Sequence, residues 1–354
     1  MAQHLIAFRN LLTALSFVVL ITTPVLLHLT SGGSVDSKVE NRRLSPAPAL
    51  SQALTNWTTL PEETNAWMRD HFGLRRTYLK IGFQLDKVLR SSGSLNAVRG
   101  DDGWIFNALN GALALHQGLL PFSEGEADRW LDGLTLVQDT AEASGATFIA
   151  MIAPNKHTIF PEYLSGYPNK AAGESRLDEV LRLARTRKLP LFDLRDTLKE
   201  AKTHDKIYYE TDSHWTEIGA YIGFSELRSA LNARGANIPD IPRDALILST
   251  DKDFRGDLYG LLGEENGVPE TIQTVEIDQK QIGPKAGSIL LIGDSFSNSL
   301  VKYLEATFES VTFTDNRSGE PDLSSIAEKR HDVVVYQVVE RYLSRPFKPV
   351  IAQN

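Results

Sequence analysis

The sequence predicts an α/β sandwich on a central, mostly parallel sheet. Three observations support it. Apolar runs of strand length alternate with amphipathic helical patterns, as in sheets covered on both faces. The best chemical motif follows directly after one of those runs, where open α/β sheets collect ligands. With 354 residues, 42% hydrophobic and 23% charged, the chain is long and apolar enough for one large core or two modest ones.

Five strands and their helices can be placed in order. Thr147 to Ala153 (TFIAMIA) reads as a buried strand after an amphipathic helix from Glu124 to Ala143. Leu189 to Phe192 follows a helix from about Ser175 to Arg187. Ser288 to Ile292 (SILLI), Val311 to Phe313 and Val333 to Val339 (VVVYQVV) complete the set, and no repeat of solenoid period is present.

The N-terminal part is organised differently. Leu11 to Leu29 is uncharged and mostly apolar, close to the ~20 residues of a membrane-spanning helix. Arg9 before it suits a signal anchor or signal peptide that leaves the rest outside the cytoplasm; Lys38, Arg42 and Arg43 beyond it argue weakly for the opposite orientation. Ser31-Gly32-Gly33 offers small residues for cleavage. The expected organisation is a membrane segment over 1–33, a tether with Pro46 and Pro48 over 34–60, and a globular domain over 61–348.

Composition narrows the chemistry. Thirty-seven basic against 45 acidic residues give a net charge of −8, which excludes the global cationic field of a nucleic-acid binder. The absence of cysteine excludes disulfides, thiolate nucleophiles and Cys-ligated zinc.

After SILLI comes Gly293-Asp294-Ser295-Phe296-Ser297 and a helical pattern. Glycine permits a tight turn, Ser295 is presented at the sheet edge, and the free N–H groups of the following helix can meet an oxyanion. A nucleophile fits this place; so does a plain helix N-cap made by Asp294 and Ser295.

Of eight histidines, His4 and His28 belong to the membrane end, and His71, His116, His157, His204 and His331 lack a polar constellation. His214 lies in Glu210-Thr211-Asp212-Ser213-His214-Trp215, before an amphipathic helix from Thr216 to Ala233. Asp212, two positions earlier, is placed to hold Nδ1–H and leave Nε2 free to take a proton from serine. The alternative is that Asp212 and Ser213 cap the helix. Trp215 is placed to wall a substrate site, and metal binding by Asp212 and His214 would lack further ligands.

Gly293-Asp294-Ser295 after an apolar strand, with Asp212-x-His214-Trp215, resembles the SGNH-hydrolase-like alginate O-acetyltransferases of the AlgJ/AlgX type. Further fragments run in the same order: Glu40-Asn41-Arg42-Arg43-Leu44, Asp70 to Arg75 (DHFGLR), Gly100 to Phe106 (GDDGWIF), Pro154-Asn155-Lys156 and Glu340-Arg341-Tyr342. In that family the Asp-x-His pair precedes the serine, as here.

The resemblance implies an SGNH-hydrolase-like three-layer sandwich in which Ser295 is the nucleophile, His214 the general base and acid, and Asp212 its orienting carboxylate. It implies an oxyanion site from the backbone N–H of Ser295 and a group after the last strand, Tyr342 or alternatively Arg341. Lys156, at another strand end, is placed to bind a sugar carboxylate. The implied activity is acetylation of an exported polysaccharide, alginate or another exopolysaccharide, through an acetyl-serine, with no cofactor or metal. An integral-membrane acyltransferase would be the donor, other export proteins would be partners, and the domain would face the periplasm from an inner-membrane anchor. A carbohydrate acetyl esterase and a non-catalytic polysaccharide-binding subunit are the alternatives, because water and a sugar hydroxyl can attack the same acyl-serine.

Overall fold

The computed structural model describes residues 36–37, 42–43, 45, 61, 64–65, 67–68, 96–167, 173–264 and 267–350. The expected membrane segment lies outside them, as does most of the expected tether. Among the described residues no helix is long and apolar enough to cross a membrane. The chain divides into two compact units, one of 1–94 with 260–265 and one of 95–259 with 266–354. In the first, β1 (Asp36–Ser37) pairs antiparallel with β2 (Arg42–Arg43).

The second unit begins with a short antiparallel hairpin of β3 (Ala97–Arg99) and β4 (Ile105–Asn107), followed by α1 (Ala112–His116) and α2 (Glu126–Ala143). Next come β5 (Thr147–Ala153), the single turn α3 (Lys156–Ile159), α4 (Arg176–Arg187), β6 (Leu191–Asp193), α5 (Arg195–Ala201) and α6 (Glu217–Asn232). A long hairpin of β7 (Leu246–Phe254) and β8 (Glu270–Ile277) precedes β9 (Ala286–Gly293), α7 (Ser297–Thr307), β10 (Phe308–Asp315), α8 (Ser324–Glu328) and β11 (Val333–Val339).

The central sheet has the order β10-β9-β11-β5-β6 and every neighbouring pair is parallel. Its middle strands alternate strictly between two cores. Ile149, Met151, Ile289, Leu291, Val333 and Val335 face one side with Phe224 and Leu227 of α6 and Leu300 and Leu304 of α7. Phe148, Ala150, Leu290, Ile292, Val334 and Tyr336 face the other with Leu131 and Leu134 of α2 and Val180 and Leu181 of α4. Two-faced burial explains why these strands read as continuous apolar runs, and it makes the three-layer sandwich.

Local chemistry sets the helix starts. Ser175 and Asp178 form a reciprocal capping box on α4, and Thr216 Oγ1 accepts the Gly219 N–H at 3.1 Å to open α6. All five expected strands form, with shifted ends: the expected Leu189–Phe192 begins two residues later, and Val311–Phe313 is the middle of a longer strand. The β7–β8 hairpin was not expected. Most of β7 is exposed, so no buried face imposes the alternation that reveals a strand.

One polar pair interrupts the first core. Gln337 of β11 is buried and its Oε1 accepts from Ser297 Oγ at 2.6 Å, tying the start of α7 to the sheet. This crowding requires glycine at the end of β9: a Cβ on Gly293 would lie 2.0 Å from Ser297 Oγ and 3.0 Å from Gln337 Oε1. Gly293→Ala is therefore expected to destabilise the protein by about 1–3 kcal/mol, the usual cost of overpacking, as a lowered urea midpoint at unchanged slope.

Candidate active site

Ser295 sits where β9 ends and α7 begins. Asp294, almost fully buried, shapes this turn with both carboxylate oxygens: Oδ1 accepts the Phe296 N–H at 2.9 Å and Oδ2 accepts the Val339 N–H at 2.6 Å. The turn is thereby pinned to the end of β11. Burial raises the Asp294 carboxyl above its ordinary range, opposed by the charge of Arg341 and these two N–H donors. Asp294 makes the local turn contact, while the Ser295 hydroxyl makes a long-range one.

That contact is with His214, 81 positions earlier, whose Nε2 lies 2.8 Å from Ser295 Oγ. On the other side of the ring, Nδ1 is 2.6 Å from Asp212 Oδ1. Asp212 Oδ1 also accepts the backbone N–H of His214 at 3.0 Å, so the Asp-x-His pair forms a tight Asx turn rather than an extended segment. Asp212 Oδ2 accepts the Asp257 N–H at 3.0 Å.

Burial would raise the Asp212 carboxyl, but the charge and hydrogen bond of His214, with the backbone N–H groups of Asp257 and His214, hold it below its ordinary range. For His214 burial opposes the charged form, yet Asp212 and then Asp257 raise its pKa above the ordinary 6.5.

The loop carrying the pair is held mainly through its backbone. Tyr208 and Trp215 form an antiparallel bridge at its base, and the Ile105 N–H of β4 donates to Glu210 O at 2.9 Å. Lys156 supplies the strongest brace. Its Nζ donates to the carbonyl oxygens of Tyr209, Glu210 and Asp212 at 3.0, 2.9 and 2.8 Å. Burial pushes this ammonium down to about 7, opposed by Asp212, Asp257, Glu270 and Glu210, while three carbonyl acceptors call for the three N–H donors of the charged form.

Two expected substrate contacts are corrected by these positions. Lys156 is only 2% exposed, with its donors spent on the loop, so it offers no free donor to a sugar carboxylate. Trp215 is fully buried, its Nε1 donates to Phe296 O at 3.1 Å, and its ring packs edge-on to Phe296; it supports the floor of the site and does not wall a substrate cleft.

The two residues expected after the last strand separate in role. The Tyr342 ring lies under the Arg345 guanidinium, 4.0 Å from ring centroid to Cζ. Arg341 is buried, its Cζ 5.3 Å from the Phe296 ring centroid, and its Nε has no hydrogen-bond partner among the described residues. Its charge acts on both Asp294 and His214.

Asp257 was not indicated by the sequence. Its carboxylate accepts the Ser213 N–H at 2.8 Å and the Ser213 hydroxyl at 2.7 Å, and it lies 3.9 Å from His214 Nδ1. Gly256 brings it there: a Cβ at that position would fall 2.1 Å from Thr211 C, so only glycine allows the approach. The Gly-Asp pair was the sole local signal. Asp212, His214 and Asp257 each place one ligand atom within 4.8 Å of the others, a set able to hold a metal ion. A cation there would compete with the Asp212–His214 hydrogen bond.

Residues 97–326 match the family described as SGNH hydrolase-like domain, acetyltransferase AlgX. The chain is 24% identical over 195 residues to the probable alginate O-acetylase AlgJ of Pseudomonas aeruginosa, covering 54% of this chain and 47% of that protein. It is 25% identical over 227 residues to the protein of that name from Pseudomonas syringae, covering 60% and 55%. The matches thus span about half the length of these curated relatives. Among solved structures, the O-acetyltransferase domain of Pseudomonas putida AlgJ is similar with a TM-score of 0.50 at 22% identity, over 70% of this chain and 92% of that one, which establishes the fold.

Removing the lysine brace takes a donor from three carbonyls, of which Glu210 O keeps the Ile105 N–H while Tyr209 O and Asp212 O lose their Lys156 donor. Lys156→Met is expected to lower stability by roughly 2–5 kcal/mol in chemical denaturation, since each buried unpaired acceptor costs ~1–3 kcal/mol and some relax toward water.

Proposed function

We propose that this chain, which belongs to the SGNH hydrolase-like acetyltransferase AlgX family, transfers acetyl groups onto hydroxyls of an exported polysaccharide through an acetyl-Ser295 intermediate. The observation that carries this reading is the unbroken chain from Ser295 Oγ through His214 to Asp212, with contacts of 2.8 and 2.6 Å.

In the first half-reaction, Ser295 Oγ attacks the donor's acetyl carbonyl while its proton passes to His214 Nε2. The imidazolium formed is stabilised by Asp212 at Nδ1 and returns the proton to the departing donor oxygen. An acceptor hydroxyl then attacks the acetyl-serine carbonyl and loses its proton to His214. Collapse of the tetrahedral adduct breaks the bond to Ser295 Oγ, which recovers that proton.

Each tetrahedral adduct carries an oxyanion. We assign its stabilisation to the backbone N–H of Ser295 just before α7 and to the Arg341 guanidinium, whose buried Nε is unpartnered among the described residues and whose charge already acts at His214. Arg341 is preferred to Tyr342 because the Tyr342 ring is covered by Arg345.

Four relatives carry the name probable alginate O-acetylase, which makes alginate the first acceptor to test. In this reading the domain works in the periplasm, held to the inner membrane by the apolar segment 11–29. Its donor is an integral-membrane acyltransferase and its partners are other export proteins. Family membership supports transfer over hydrolysis in this reading, and the same acyl-serine hydrolysed by water would make an esterase.

Incubation of the protein with p-nitrophenyl acetate is expected to give one acetyl adduct on Ser295 by mass spectrometry, and addition of oligomannuronate to move it to the sugar. Ser295→Ala should abolish both, a loss of at least about 10³-fold, while remaining folded. Acetate release with no acetylated sugar would instead identify an esterase, and no adduct would identify a binding subunit.

His214 must be neutral to accept the serine proton, and its pKa is raised. The acylation rate should therefore climb with pH through an inflection above 6.5, measured as burst rate against pH.

A further inference from the structure

The proposed reaction uses Asp212 as the partner of His214, yet the same histidine nitrogen faces a second buried carboxylate. Asp257 Oδ2 lies 3.9 Å from His214 Nδ1, beyond hydrogen-bond length but well within Coulombic range. Its approach is fixed from several sides. Ser213, between the two members of the pair, gives Asp257 both its N–H and its hydroxyl at 2.8 and 2.7 Å. The Asp257 N–H holds Asp212 Oδ2 at 3.0 Å. On either side, the Gly256 N–H donates to Thr211 Oγ1 at 3.1 Å and the Leu258 N–H to Thr211 O at 3.2 Å. Four successive residues, 211–214, are thus bound to or faced by residues 256–258. A surface loop brace would not require such enclosure, nor aim a carboxylate at the imidazole.

From this geometry we infer that Asp257 is a positioning residue for acyl transfer, which locks Asp212 in its orientation toward His214 and adds a second negative charge that stabilises the imidazolium. The inference rests on the Ser295 acyl-enzyme reading. Asp257 acts through His214 and Asp212.

Among the described residues, charged groups face it from both sides of the site. Asp212 and His214 lie on the braced loop, Lys156 stands behind that loop, and Arg341 and Asp294 lie on the serine side. Glu210 and Glu270 act from further away on Lys156. Burial and the neighbouring Asp212 charge push the Asp257 carboxyl above its ordinary range, opposed by His214 and the Ser213 donors. While Asp257 is ionised it favours the charged ring; once protonated it releases that support.

The test uses phenylmethylsulfonyl fluoride on the full chain, because sulfonylation reads Ser295 and His214 without needing donor or acceptor. Its rate at Ser295 is followed against pH by intact-protein mass spectrometry in wild type, Asp257→Asn and Asp257→Glu. Asparagine keeps the backbone N–H on Asp212 and an acceptor for Ser213 but removes the charge. The acid limb should move down by roughly one pH unit and the plateau should fall roughly tenfold, since a pH unit of imidazolium stabilisation corresponds to a factor of ten. Glutamate restores the charge and should return the limb toward wild type.

Superimposable profiles for wild type and Asp257→Asn would reduce Asp257 to a loop brace and overturn the inference. Failure of wild type itself to react at Ser295 would overturn the acyl-enzyme reading, and this inference with it. If Asp257→Asn does not fold, the ring ¹⁵N shifts of His214 in wild type decide. A second inflection from Asp257 is expected, and a single His214 inflection overturns the inference.

Discussion

The site depends on one constraint: the loop from Tyr209 to His214 must be held rigidly against the end of β9. The His214–Ser295 hydrogen bond joins groups 81 positions apart, and neither lies on an element that touches the other through a regular ladder. The geometry is maintained instead by backbone groups. Lys156 gathers three carbonyls, β4 contributes an N–H to Glu210 O, and Asp257 takes the Ser213 N–H. Backbone bracing of this kind fixes a loop without restricting the side chains it presents, which suits a site that must keep two angles and two distances.

The same contacts balance the buried charge. Asp212, Asp257 and Asp294 bring three carboxyls into a small volume that contains Lys156, Arg341 and the titratable His214. Unpaired, any one of these ions would be costly to bury. Distributed as they are, each carboxylate accepts at least two backbone or hydroxyl donors, and the cations face several carboxylates at once. The resting site thus resembles the charge distribution that a protonated histidine would require, and proton transfer asks little rearrangement of it.

Elements buried on both faces were readable because burial dictates composition. TFIAMIA, SILLI and VVVYQVV could be recognised as strands, and α4 and α6 could be placed within one or two residues from their helical patterns. The β7–β8 hairpin was invisible because water, rather than a core, surrounds most of β7. Lys156 and Trp215 illustrate a different limit. Both residue types suit sugar recognition at a strand end, but whether a side chain points to solvent or into the loop behind it depends on packing that no local pattern encodes. Lys156 serves the loop with its Nζ set over the rings of Trp104 and Phe106, 5.6 and 5.2 Å from their centroids.

Sequence alone determined the α/β class and the strand-end positions of Ser295 and Arg341, because continuous apolar runs and turn chemistry are local properties. It also brought forward Asp212 and His214 as a pair, since two positions in one turn restrict each other. Only the tertiary structure decided that this pair meets Ser295, that Asp257 joins it from 44 residues beyond Ser213, and that Lys156 is spent inside the protein. Those outcomes depend on loops converging at the end of a sheet, and convergence is set by the summed packing of helices and strands far from the residues that meet.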